Sequence, residues 1–278
     1  MRTVLSISSH VVDGRVGQSI STFAMERLGI GVLAVPSVLY PVMPAPGAPH
    51  GEAVPQELFD LLLKGLSEAG ALSRLGALHI GYLRTQDQVL AAARVIALLR
   101  AESASAPVLL DPILGDEPSG LYVPKETAGA IASELAPRAD IMTPNLFELG
   151  YLAGRRLASE SDAVAAARSL NARVVVVTSA PSAAERAITL LVEQDRAHRL
   201  RTPRFAHAPH GTGDLLAALF LARLVRGEAA TDALALAISS VYGLIGAANE
   251  ARLGYLPHVE CQDLLAVPAL CVEVEAIA

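Results

Sequence analysis

Short runs of β-branched and aliphatic residues alternate along this chain with longer Ala- and Leu-rich stretches of helical period. The pattern predicts strands over 3–8, 31–39, 77–80, 107–110, 141–143 and 173–178. Helical periodicity covers 19–28, 55–68, 86–100, a stretch starting near Leu146, 215–225 and 231–249. In the helix over 55–68, Leu58, Leu61, Leu62 and Leu66 are expected on the buried face. The run RVVVVT at 173–178 has no polar alternation, as in a strand covered on both faces. A hairpin is expected next, with 188–193 as one arm. Strands joined by crossover helices predict an α/β fold with a mostly parallel central sheet in one domain over 1–278.

Two segments break the alternation. Residues 36–55 are rich in Pro and poor in charge, and are expected as an irregular loop leaving the second strand. Residues 115–125, GDEPSGLYVPK, are expected as a second irregular loop, leaving the strand that ends at Asp111. Sites in open α/β sheets lie beyond the carboxyl ends of strands, and both segments leave such ends.

Composition narrows the classes. The chain has 278 residues, 52% hydrophobic and 18% charged, enough apolar content to fill a large core. A net charge of -6 with no basic block argues against nucleic acid as a partner. Cys261 and Cys271 are too few for a disulfide framework or a four-ligand zinc site. The first residues, MRTVLSISSHVVDGR, do not have the form of a secretory signal. The apolar stretch 233–248 falls short of the ~20 residues that span a bilayer. The expectation is therefore a cytoplasmic protein without a membrane partner.

Candidate chemistry clusters at strand and helix ends. Gly211-Thr212-Gly213-Asp214 opens a strongly apolar helix. Two glycines permit a tight turn, and the free N–H groups of a helix start form an anion nest. Asp214 there is read either as a capping carboxylate or as a general base beside a phosphate. Asp111 ends a strand, and Asp116 and Glu117 follow closely enough to suggest oxygen ligands for Mg²⁺. Asn145 and Glu148 have the spacing of a capping box, and equally of a ligand pair at a strand end. Ser9 and His10 end the first strand, but no G-x-S-x-G elbow accompanies them. His207 and His210 flank a proline that prevents a helical metal pair. There is no Walker A motif. Gly29-x-Gly31-x-x-Ala34 follows a helix and enters a strand, the reverse of the dinucleotide-binding order.

Taken in order, SISSHVVDGRVG, HIGYL with Gln88, LDPILGDEPSGLYVP, ADIMTPNLFEL, VVVTSA and HGTGDLLAALFLA resemble the motifs of pyridoxal kinases, within the ribokinase superfamily. The last two blocks and the PN-x-x-E segment are shared across that superfamily. The SHV and GDxxxGLYVP segments point to the pyridoxal kinases. The resemblance implies a ribokinase-like three-layer α/β/α fold with a lid or flap over 115–125. It implies ATP and Mg²⁺, leaves a monovalent cation open, and implies a homodimer acting on a small B6 vitamer. Asp214 would accept a proton from the 5′-hydroxymethyl group, with Gly211, Thr212 and Gly213 as the anion hole. Asp111, Asp116 and Glu148 would organise the metal. Asp111, Asn145, Glu148, Thr178, Ser179 and Thr212 would face ATP. Ser9, Val16, Tyr82 and Asp214 would face the acceptor, Val16 and Tyr82 as apolar walls.

The chain departs from the family where Tyr40-Pro41-Val42-Met43-Pro44 stands for F-S-N-H-T. Met43 and Pro44 replace a His and a Thr, removing two polar contacts and, with them, discrimination among hydroxyl-bearing rings. Pyridoxal, pyridoxamine, pyridoxine and hydroxymethylpyrimidine all stay open as acceptors. Hydroxymethylpyrimidine (phosphate) kinases often carry Cys at the position of Asp214, which disfavours that alternative. A non-catalytic nucleotide- or vitamin-binding homologue is the alternative of another class.

Overall fold

The computed structural model describes residues 2–44, 50–182 and 185–277. In chain order, β1 (Thr3–Asp13) leads through α1 (Gln18–Arg27) to β2 (Gly31–Val42), and β3 (Glu52–Ala53) precedes α2 (Gln56–Glu68). Next come β4 (Leu75–Ile80), α3 (Gln86–Glu102) and β5 (Val108–Leu110). A small hairpin of β6 (Gly115–Asp116) and β7 (Gly120–Leu121) enters α4 (Lys125–Ala130), which widens into a π-helical turn over Ile131–Leu135. Then follow β8 (Ile141–Met142), α5 (Leu146–Leu152), α6 (Glu160–Ser169) and β9 (Val174–Val177). The hairpin of β10 (Arg186–Val192) and β11 (Ala197–Pro203) precedes α7 (Thr212–Arg226), α8 (Ala230–Glu250), α9 (Asp263–Ala266) and β12 (Glu273–Ala276).

One ten-stranded sheet has the order β12-β11-β10-β9-β8-β5-β4-β1-β2-β3. Its middle, β2-β1-β4-β5-β8-β9, is parallel, and β3 and β10 to β12 pair antiparallel at the two margins. Strand alternation sends Leu5, Ile7, Val175 and Val177 into one core with α2 to α6, and Val4, Val174 and Val176 into another with α1, α7, α8 and α9. All four valines of β9 are buried, as the unbroken apolar run requires. The result is the expected three-layer α/β/α arrangement, with the parallel strands pointing their carboxyl ends at one edge.

Several expectations need correction. Both β1 and β2 outrun their predicted ends, reaching Asp13 and Val42. A register shift between Ser8 and His10 carries the pairing past Pro36, which faces Ser8. Beyond Pro36, β2 meets only the short β3 on its outer side, so the missing N–H costs little there. Residues 36–42 of the predicted loop are therefore strand, and residues 45–49 lie outside the described residues. The 115–125 segment is partly ordered as the β6–β7 hairpin.

On α2 the buried residues are Phe59 and Leu63, while Leu58, Leu61 and Leu62 are 47%, 64% and 38% exposed. The largest side chain wins the core face, and of the expected stripe only Leu66 packs against it. Helix α8 has 21 residues, and it is long and apolar enough by length and composition to cross a membrane. Ala233, Leu234, Ala237, Ser240, Leu244 and Ala248 are buried at helical spacing, so one face of α8 packs on the core.

Candidate active site

The carboxyl edge of the parallel strands supplies the site. Asp111 directly follows β5, Thr143 follows β8 and Thr178 follows β9. The start of α7 closes the far side. These elements line a cleft of about 760 Å³ that holds Asp111, Asp116, Asn145, Glu148, Thr178 and Ser179 together with the whole Gly211–Asp214 segment. Ten predicted residues, far apart in sequence, are thus brought together.

Gly211 makes the turn before α7 possible. Its φ is +90°, and a Cβ there would sit 2.1 Å from the Arg15 carbonyl oxygen and 3.2 Å from Val16 Cγ1. No side chain at the Gly211 cap position bonds the free N–H groups of the α7 N-terminus. Gly213 has open space where a side chain would stand. Asp214 is the third helical residue rather than the cap. Burial lifts its carboxyl above the ordinary range, opposed by the N–H groups of Gly17 and of Asp214 itself.

A second set of acids faces the same cleft. Burial pushes Asp111 well up, and the charges of Glu148 and Asp214 push it further, offset in part by the neighbouring Thr143 hydroxyl. Burial also raises Glu148, to about 7, although three backbone N–H groups favour its charged form. Those donors define its position. Leu114 N–H reaches Oε1 at 2.9 Å, and Asn145 N–H reaches Oε2 at 2.9 Å. Asn145 Oδ1 accepts from the Glu148 N–H at 2.9 Å, so the capping box is real. Asn145 Nδ2 also donates to the Gly115 carbonyl at 2.8 Å. The box therefore fastens the base of the β6–β7 flap, and the capping and functional readings of this pair are compatible.

Asp116 sits on that flap. Burial would raise its carboxyl, but Tyr122 and Ser119 hydrogen bonds and nearby His210 hold it below the usual range. Its Oδ1 is buried without a partner, as is Thr143 Oγ1. Among the described residues no three His, Cys, Asp or Glu side chains form a ready-made metal cage. Crowded carboxylates and an orphaned carboxylate oxygen nonetheless suit Mg²⁺, which keeps several waters and takes few protein ligands.

The residues expected on the acceptor side, Ser9, Val16 and Tyr82, do not line this cleft. A Cβ on Gly17 would fall 2.3 Å from Ser9 Oγ, and the Gly17 N–H holds Asp214. Val16 lies against Gly211. Gly81, next to Tyr82, would touch Ser8 and Ile113 with a Cβ, and Ile113 is a lining residue of the cleft. Sequence reasoning missed Ile113, Phe147 and Arg156 as lining residues. Ile113 has φ +44°, a strained conformation at the site that nothing in residue type announces. Ser9-His10 forms no hydrolase constellation: Ser9 meets the glycine loop, and His10 bridges to Gly17.

A parallel sheet bearing a glycine anion nest, a recessed carboxylate beside it and an acid-lined cleft defines the ribokinase-like class of phosphotransferases. Residues 61–258 match the family model described as phosphomethylpyrimidine kinase. The chain is 34% identical over 281 residues to a pyridoxal kinase of Corynebacterium diphtheriae, covering 99% of each. It is 40% identical over 233 residues to a pyridoxine/pyridoxal/pyridoxamine kinase of Bordetella avium, covering 81% of this chain and 78% of that one. The structure of Leishmania donovani pyridoxal kinase with ADP and pyridoxamine superimposes with a TM-score of 0.91 at 27% identity, over 100% of both chains. The chain belongs to the pyridoxal kinase family.

Proposed function

We propose that this protein transfers the γ-phosphoryl group of ATP to the 5′-hydroxymethyl group of pyridoxal, pyridoxamine or pyridoxine. The observation that carries this reading is the placement of Asp214. Asp214 lines the acid-rich cleft at the first turn of α7, with Gly17 of the loop after β1 beside its carboxylate, and this supports the reading. In this reading Asp214 takes the proton of the acceptor alcohol as its oxygen attacks phosphorus. The bond to the β,γ-bridging oxygen breaks, and ADP leaves. The N–H groups of Gly211, Thr212 and Gly213 hold the transferring group and its developing charge. A raised carboxyl pKa brings the base nearer the pH at which it works.

Asp111, Asp116 and Glu148 would hold Mg²⁺ and its waters, and the ion would supply charge neutralisation of the phosphates. Asn145, Thr178, Ser179 and Thr212 orient the nucleotide, and Ser9 orients the acceptor ring. The β6–β7 flap excludes water that would otherwise hydrolyse ATP. A homodimer, a cytoplasmic setting and an open question of a monovalent cation come with the same family reading.

The family model's own description supports one further candidate, a hydroxymethylpyrimidine acceptor. Steady-state ADP release with Mg·ATP and each of the three vitamers, against hydroxymethylpyrimidine, separates the readings. Vitamer-dependent ADP release with formation of the 5′-phosphate is expected. Turnover of the pyrimidine alone, or of nothing, overturns the vitamer reading, and binding without turnover points to a non-catalytic homologue.

A further inference from the structure

The loop that joins β1 to α1 abuts the start of α7. A Cβ on Gly211 would lie 2.1 Å from the Arg15 carbonyl oxygen, so the two backbones meet with no room for a side chain between them. Gly14 folds the loop back on β1, where a Cβ would fall 2.6 Å from Val11 Cγ1, and Gly17 closes it with a bridge to His10. The loop thus brings Val16 to the anion nest and the Gly17 N–H to Asp214. Two glycines in four residues leave such a loop a wide choice of backbone conformations, and an anchor between them narrows it.

Arg15 supplies that anchor. Its half-buried guanidinium lies 5.7 Å from the centroid of the Tyr255 ring, within cation–π range. Among the described residues no carboxylate forms an ion pair with Arg15, so the ring is the partner the structure gives it. Tyr255 follows α8 in a segment that is itself moored. Leu253 N–H donates to the Ala248 carbonyl at 2.8 Å, and Leu256 and His258 are buried. The His258 ring meets Phe23 of α1 edge-on, with centroids 5.2 Å apart and planes at 82°. Burial, with the Arg15 charge adding to it, lowers the His258 pKa and favours a neutral packed ring. The 255–258 segment therefore touches both arms of the β1–α1 junction, Arg15 in the loop and Phe23 in the helix.

We propose that Tyr255, through its cation–π contact with Arg15, is a positioning residue for the acceptor half of the reaction. It fixes the 14–17 loop against Gly211, so that the Gly17 N–H stays on Asp214 while the acceptor alcohol gives up its proton. The inference rests on the vitamer-kinase reading and deepens it. Arg15 and Tyr255 both stand outside the lining of the acid-rich cleft, so the contact acts on the acceptor and leaves nucleotide binding alone.

The test is steady-state kinetics with pyridoxal and Mg·ATP, alongside melting temperatures, in wild type, Arg15→Met, Tyr255→Leu, Tyr255→Phe and the double variant Arg15→Met/Tyr255→Leu. Arg15→Met and Tyr255→Leu should each lower kcat/KM for pyridoxal by about 2–5-fold, the share of a partly exposed cation–π contact, with KM for Mg·ATP unchanged. Tyr255→Phe keeps the ring face and should keep wild-type kinetics. The double variant should be no worse than either single one, because both remove the same contact. Additive losses, equal losses for pyridoxal and ATP, or a loss in Tyr255→Phe as large as in Tyr255→Leu overturn the proposal with the vitamer reading intact. A lower melting temperature with unchanged acceptor kinetics overturns it too, and confines the contact to stability. Failure of wild type to turn over any vitamer removes the vitamer reading and this proposal together.

Discussion

The Gly17 N–H donates to the carboxylate of Asp214, joining the loop after β1 to the first turn of α7. Gly17 has φ +55°, and its missing side chain leaves room for Ser9. One glycine therefore sets the spacing between the residue proposed to orient the ring and the residue proposed to take its proton.

Gly17→Ala tests that spacing. A Cβ would lie 2.3 Å from Ser9 Oγ and 2.4 Å from the Ser9 carbonyl, in a backbone region that disfavours alanine. Strain of this kind costs about 1–3 kcal/mol. A lower urea midpoint with unchanged slope is expected, together with a higher KM for the acceptor than for ATP. Unaltered stability and acceptor KM would show that the loop relaxes freely.

Asn145→Ala removes both a helix cap and the tie to Gly115 on the flap. Loss of the cap alone costs ~1 kcal/mol. The melting temperature should fall, and the shift produced by Mg·ATP should shrink, because the flap base is no longer fastened. A variant that loses stability but keeps the full nucleotide-induced shift would confine Asn145 to capping.

His79 gives the fold a pH dependence. Burial lowers its pKa from 6.5 to about 4, and Ser6 Oγ lies 3.0 Å from Nδ1. The unfolded chain therefore binds a proton that the folded chain refuses between those values. Stability attributable to His79 is intact above pH 6.5, declines as pH falls and is fully lost near pH 4. The full loss is roughly 3 kcal/mol. Denaturant melts at stepped pH should show this slope, and His79→Asn should flatten it.

The outer face of α2 separates core from surface. Phe59→Ala should cost about 3–5 kcal/mol, as expected for a fully buried aromatic side chain. Leu61→Gln, at a 64% exposed position, should stay within about 0.5 kcal/mol. Equal effects of the two would contradict the observed rotation of the helix.

Much of this was legible in the residues because local physics dominated there. The RVVVVT run reads directly as a doubly covered strand, and GTGD before an apolar helix as a tight glycine turn, with the role of Asp214 left open between cap and base. The Asn145–Glu148 spacing fixed a capping box. Other features depend on tertiary competition. Helix α2 carries leucines on several faces, and which face is buried depends on where Phe59 fits. The extension of β1 to Asp13 depends on a register shift against β2, not on alternation within either strand. Helix α6 was missed, although its capping box at Ser159 and Asp162 was visible, because its core face is mostly alanine. That Ser9 stands off the cleft lining yet close to Asp214 arises only from folding, since Ser9 reaches Asp214 through Gly17.

The central claim is that Asp214 takes the proton of the acceptor alcohol. Its most direct test is kcat for Asp214→Asn with saturating Mg·ATP and pyridoxal, alongside nucleotide binding by the same protein. A loss of about 10²–10⁴ in kcat with ATP affinity retained is expected. Wild-type turnover in the asparagine variant would contradict the account.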